Sequence, residues 1–134
     1  MTSMHGSTTV SNIGVAMFTV ADQDVARAFY TEKLGWEVRG DDRYGEEGDR
    51  RWLEVAPPGS VARLALNPPM AGAPGGGSVG VETPDVRAEH ERLSAVDGVT
   101  ISTPPMEMGG APLMFSVADP DGNQIWIVER SPAS

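Results

Sequence analysis

The sequence predicts an α+β fold in which two βαβββ modules form a single domain. Three observations carry this. The chain of 134 residues can bury a real core and is short for two ordinary domains. The order strand, helix, strand, strand, strand occurs twice along it, by apolar alternation and helical spacing. Between the two occurrences lies "PPMAGAPGGGS" (68–78), a proline and glycine connector that can continue neither a strand nor a helix.

The first module, 12–67, opens with the strand-like run "IGVAMFTV" (13–20). Asp22 is placed to cap the helix "QDVARAFYTEKL" (23–34), where Val25, Ala28 and Phe29 recur at helical spacing and Gly35 supplies the stop. "WEVRG" (36–40) is a second strand. The charged, glycine-broken stretch "DDRYGEEGD" (41–49) is a loop before the third strand, "RRWLEVA" (50–56). "PPGS" then turns the chain into a fourth, "VARLALN" (61–67).

The order repeats after the 68–77 linker, in a second module at 78–130. "SVGVET" (78–83) is a strand, and Pro84 and Asp85 open the helix "VRAEHERLSAV" (86–96). Gly98 precedes the short strand "VTIS" (99–102), and "TPPMEMGG" (103–110) is a loop. "APLMFSV" (111–117) and "NQIWIV" (123–128) form a hairpin around the tight turn "DPDG". In that last strand Ile125 and Ile127 point to one face and Trp126 and Val128 to the other, so both faces are covered. Val15 and Ser78 occupy matching places on the opening strands, and Ala65 and Trp126 on the closing strands. Each module buries the sheet face under its helix and leaves the other open. Two modules must therefore join around a shared concavity, within one chain or between two.

Composition excludes several functions. With no cysteine, the chain has no disulfide, zinc–thiolate site or cysteine nucleophile. A net charge of −9 argues against nucleic acid and against anionic membrane as partners. It suits a cationic small ligand, or simply keeps the protein dispersed. No apolar run is long enough to span a membrane. The opening "MTSMHGSTTVS" is polar and lacks the apolar centre of a secretion signal, which predicts a disordered tail at 1–11, an ordered domain at 12–131 and a cytoplasmic protein.

Two stretches, "FTVADQDVARAFYTEKLGWEV" (18–38) and "FSVADPDGNQIWIVE" (115–129), resemble the glyoxalase, bleomycin-resistance and extradiol-dioxygenase superfamily, the vicinal oxygen chelate proteins. The resemblance covers residues 11–130. It implies a cup-shaped, partly open barrel-like sheet with the helices outside, commonly within a homodimer. It also implies that the first and last strands of each module present His, Glu or Gln to one divalent ion. Carried over, those places hold Val15, Ala65, Ser78 and Trp126 here. Valine, alanine and tryptophan offer no oxygen or imidazole nitrogen to a divalent ion, and one serine hydroxyl is a weak donor. No metal and no other cofactor is expected. Of the two histidines, His5 lies in the tail and His90 beside the packing face of the second helix.

Polar candidates remain. Glu82 shares a face with Ser78 and Gly80, where it could bind a cation or act as a general base, or stand solvated at a strand end. Glu54 shares a face with Trp52, and alternation alone does not say which. Tyr44, Met106 and Met108 fall near the rim, closing over a ligand or forming ordinary surface loop. Trp126 offers a flat surface for stacking or for a cation, and Val15, Met17, Ala65, Ser78, Glu82 and Trp52 complete the expected ligand-binding set.

Binding without chemistry is the function expected: a homodimer holding an aromatic or cationic small molecule in its cup, as in antibiotic sequestration. The alternative is an enzyme of the same superfamily, a glyoxalase-like lyase or isomerase or a dioxygenase. It would use metal-free acid–base chemistry through Glu82 or Glu54, or metal ligands outside the four usual places.

Overall fold

The computed structural model describes residues 6–130; His5, the rest of 1–5 and residues 131–134 lie outside the described residues. Its elements are β1 (Val15–Thr19), α1 (Gln23–Ala28), β2 (Glu37–Tyr44), β3 (Arg50–Ala56), β4 (Arg63–Asn67), β5 (Ser78–Thr83), α2 (Val86–Ser94), β6 (Thr100–Met106), β7 (Met114–Ala118) and β8 (Gln124–Glu129). They form two four-stranded mixed sheets, β1-β4-β3-β2 and β5-β8-β7-β6. In both, the first and last strands of the module run parallel and the rest antiparallel. The α+β fold of two βαβββ modules is thus as the pattern predicts. The two sheets do not close into a barrel.

Capping sets the helix starts. Asp22 accepts hydrogen bonds from the backbone of Asp24 and Val25, and Asp85 from that of Ala88. The first helix departs from expectation after Ala28, because Phe29–Lys33 forms a π turn in which Leu34 N–H reaches back to the Phe29 carbonyl. Phe29 and Tyr30 are both buried there, their rings edge to face.

Two predicted loops contribute strand. β2 runs on through Asp41 to Tyr44, held by Arg51, whose guanidinium donates to both oxygens of Asp41 at 2.7 and 2.8 Å. β6 runs on through Pro104 and Pro105. It lies at a sheet edge, where missing N–H groups are tolerated, and its ladder slips on either side of Thr103.

The helix-side faces of the two sheets share one core. Phe18, Leu53, Val55, Leu64 and Leu66 of the first sheet join Phe115, Val117, Ile125 and Ile127 of the second around Phe29, Tyr30, Val86 and Leu93. The "DPDG" turn fastens the modules together. Asp119 Oδ1 accepts from the backbone of Asp121 and Asn123, while Oδ2 accepts from the Tyr30 hydroxyl and from Asn123 Nδ2. Asn123 also donates to Thr19 O, and Asp121 accepts from Ala21 N.

The connector is docked rather than loose at its end. Gly75 N–H donates to Thr19, and a Cβ on Gly75 would lie 2.1 Å from the Asp121 carbonyl. A Cβ on Gly77 would lie 2.6 Å from the Phe18 ring and 2.9 Å from Asn123 Oδ1. A side chain at either position would therefore force these neighbours to shift.

Candidate functional site

Strand register decides which side chains share the two open faces. In the first sheet Val15 stands beside Arg63, Met17 beside Ala65, Ala65 beside Glu54, and Trp52 beside Asp42. Their neighbours in sequence, Ala16, Phe18, Leu64, Leu66, Leu53 and Val55, pack on the core side. Val15, Met17, Ala65, Trp52 and Glu54 thus lie together on the open face. Met17 is 67% exposed there, and Ala65 is fully covered.

Glu54 is not a free base. One carboxylate oxygen accepts from Trp52 Nε1 at 2.9 Å and the other from Arg63 Nε at 2.7 Å, which ties the indole and the guanidinium to one carboxylate. Arg63 was not among the residues singled out from sequence, although alternation from Ala65 places it on the same face.

In the second sheet Trp126 stands between Gly80 on β5 and Ser116 on β7. Ser78, Gly80, Glu82, Ser116 and Trp126 share the open face, opposite the core residues Phe115, Val117, Ile125 and Ile127. Glu82 is exposed and has no hydrogen-bond or ion-pair partner among the described residues. Ser116 is completely buried, and its hydroxyl has no hydrogen-bond partner among the described residues. Gly80 falls on this face as alternation predicts, whereas Ser116 drew no notice in the sequence, where nothing signals an orphaned hydroxyl.

At the rim, Tyr44 and Met108 are exposed and Met106 stands beside Met114. His90 packs its ring edge to face against Phe115, 5.1 Å between centroids, as a partly buried helix histidine. Two clefts of about 660 and 360 Å³ follow the seam between the modules, sharing Trp36, Pro57, Pro58, Val81 and Glu82. Arg63 and Arg130 border the larger one; Trp126 borders neither.

The family model described as the Glyoxalase/Bleomycin resistance protein/Dioxygenase superfamily matches residues 12–127. The chain belongs to that superfamily. It is 33% identical over 124 residues to YetH of Bacillus subtilis (strain 168), an uncharacterised protein, covering 90% of this chain and 99% of that one. Among solved structures it is similar to a superfamily member from Sphaerobacter thermophilus DSM 20745, at a TM-score of 0.80 and 31% identity over 90% of this chain and 98% of that one. It is equally similar to TnmS3, an antibiotic binding protein from Streptomyces sp. CB03234, at a TM-score of 0.80 and 31% identity over 93% of this chain and all of that one.

The superfamily's metal does not fit the residues present. Val15, Ala65, Ser78 and Trp126 lie on the open faces, as their strand positions require, and bring one hydroxyl among them. Among the described residues no three His, Cys, Asp or Glu side chains come together to hold an ion. Nor is any described helix long and apolar enough to cross a membrane.

Proposed function

We propose that this glyoxalase/bleomycin-resistance protein binds a small aromatic or cationic molecule and sequesters it without chemistry, in a cup formed when two copies pair. The observation that carries this is Trp126. At the place where metal-using relatives present a carboxylate, it offers an indole on an open face, flanked by the small residues Gly80 and Ser116. A second indole, Trp52, stands on the open face of the other sheet. An aromatic or cationic guest gains stacking and cation–π energy from such surfaces and needs no metal.

Pairing of two copies follows from where the open faces lie. The helix-side faces of both sheets are spent on one internal core, which leaves the opposite face of each sheet outside that core. Met17 stands exposed on one, and Ile13 and Val61 are exposed at the neighbouring ends of the first and fourth strands. A second copy, its second sheet set against the first sheet of its partner, would cover this apolar surface and enclose a cup between Trp52 and Trp126. The similarity to an antibiotic binding protein supports sequestration as the use of that cup.

The test is a thermal-shift screen against bleomycin-type cations and aromatic antibiotics, with the oligomeric state measured by light scattering. A guest that occupies the cup raises the melting temperature by mass action. The rise should shrink in Trp126→Ala. A monomer with no response to any guest, or a stoichiometric divalent ion in the purified protein, would sink the proposal.

A further inference from the structure

Trp126 has two lateral neighbours, and their surroundings differ sharply. A Cβ built on Gly80 would meet no heavy atom within 4 Å. Ser116, on the other side, is 0% exposed and its hydroxyl has no partner among the described residues. Thr103, Met114 and Ala118 also adjoin Ser116 on that face, with Gln124 and Val128 at the diagonals, and an indole is larger than any of them. The space above Gly80 is thus empty and that above Ser116 is full. Trp126 stands between them, the bulkiest side chain at that level of the sheet.

Gly80 itself needs explaining. Its backbone is not in the left-handed region, so any residue could adopt its conformation. Nothing packs close enough to demand a missing side chain. Yet glycine weakens a strand interior, and one of its recurring uses there is to let a ligand or another backbone approach closely. A buried hydroxyl without a partner likewise calls for a cause.

We propose that Trp126 is a two-position gate over a concealed ligand-binding hydroxyl. When a flat aromatic guest enters, the indole moves into the space kept clear by Gly80. Ser116 Oγ is uncovered and donates a hydrogen bond to an oxygen on the guest. This rests on the cup binding an aromatic molecule and goes further, because it names the class: aromatic rings carrying a hydroxyl or carbonyl oxygen, preferred over bare hydrocarbons. The orphaned hydroxyl gains its first partner only in the bound state, so selectivity comes from a contact absent in the free protein.

The test uses the full chain labelled with 5-fluorotryptophan, with the Trp126 resonance assigned through Trp126→Phe. The probes are 2-naphthol and naphthalene. The parent should bind naphthol about three- to tenfold more tightly, the worth of one hydrogen bond, and the Trp126 resonance should move on binding. Ser116→Ala should bind both probes equally. Gly80→Val should melt no lower than the parent and remain the same oligomer, yet bind both probes at least tenfold more weakly. Retained naphthol preference in Ser116→Ala, or parent-like binding by Gly80→Val, overturns the gate while leaving aromatic binding intact. Loss of self-association in Gly80→Val would also overturn it, assigning Gly80 to a subunit contact. If neither probe moves any tryptophan resonance, the gate and the aromatic cup fall together.

Discussion

Tyr30 and Asp119, 89 residues apart, are joined by a 2.9 Å hydrogen bond from the phenol to Oδ2, and both are buried. The bond links the π turn after α1 to the hairpin turn before β8, and so links the modules. Tyr30→Phe removes the donor and leaves Oδ2 with Asn123 alone. We expect a loss of about 1–3 kcal/mol in urea unfolding, the range for breaking a buried hydrogen bond to a charged group.

The same pair predicts an alkaline limit. Burial, and then the charge of Asp119, hold the Tyr30 phenol far above its ordinary value of 10.0. A pKa raised by folding gives stability that is complete below the unfolded value and lost as pH rises through the folded one. Unfolding free energy should therefore fall from about pH 10 upward, more steeply in the parent than in Tyr30→Phe. Equal slopes in the two proteins would contradict this.

The acid side depends on Asp41. Its hydrogen bond from Arg51, and to a lesser degree that from Arg27, hold its carboxyl below the ordinary value of 3.8. Here the pKa is depressed by folding, so the contribution is present above that value and lost as pH falls through the folded one. Asp41→Asn should be less stable than the parent at pH 7, and the gap should narrow as pH falls below 3.8. Thermal melts from pH 7 down to 2 measure it.

Gly76 and Gly77 separate two reasons for glycine. Gly76 has φ of +84° with open space around it, so Gly76→Ala should cost about 1–2 kcal/mol of backbone strain. Gly77 has an ordinary φ, but Phe18 occupies the space of its missing side chain. Gly77→Ala should cost about 1–3 kcal/mol by overpacking. Adding Phe18→Leu should return part of that loss in Gly77→Ala and none in Gly76→Ala, a non-additivity that chemical denaturation can resolve.

Much of this architecture was legible in the sequence, and the parts that were not share physical causes. The repeat, both helix caps and the "DPDG" hairpin follow from local patterns, because alternation and capping act over a few residues. The π turn at Phe29–Lys33 was not legible, since helical spacing does not distinguish an i+4 from an i+5 bond. Nor was the extension of β2 through Asp41, which depends on Arg51 from the next strand and Arg27 from the helix. Alternation placed Trp126 on a face but could not show that Ser116 beside it lacks a partner. It placed Glu54 beside Trp52 but could not show that both its oxygens are engaged. Those facts depend on which long side chain leans which way across a sheet.

The docked end of the connector has a consequence for how the chain could be recut. Residues 70–73 are exposed, whereas Gly75 and Gly77 are pinned against Thr19, Asp121, Phe18 and Asn123. New termini or an inserted domain placed at Gly72 should leave the fold intact, since no bond is cut there that holds the modules. The same cut three residues later would break the seam itself. Two copies trading modules through this connector have only the stretch from Asn67 to Pro74 to span the gap. At about 3.3–3.6 Å per residue, that is a reach of under 30 Å.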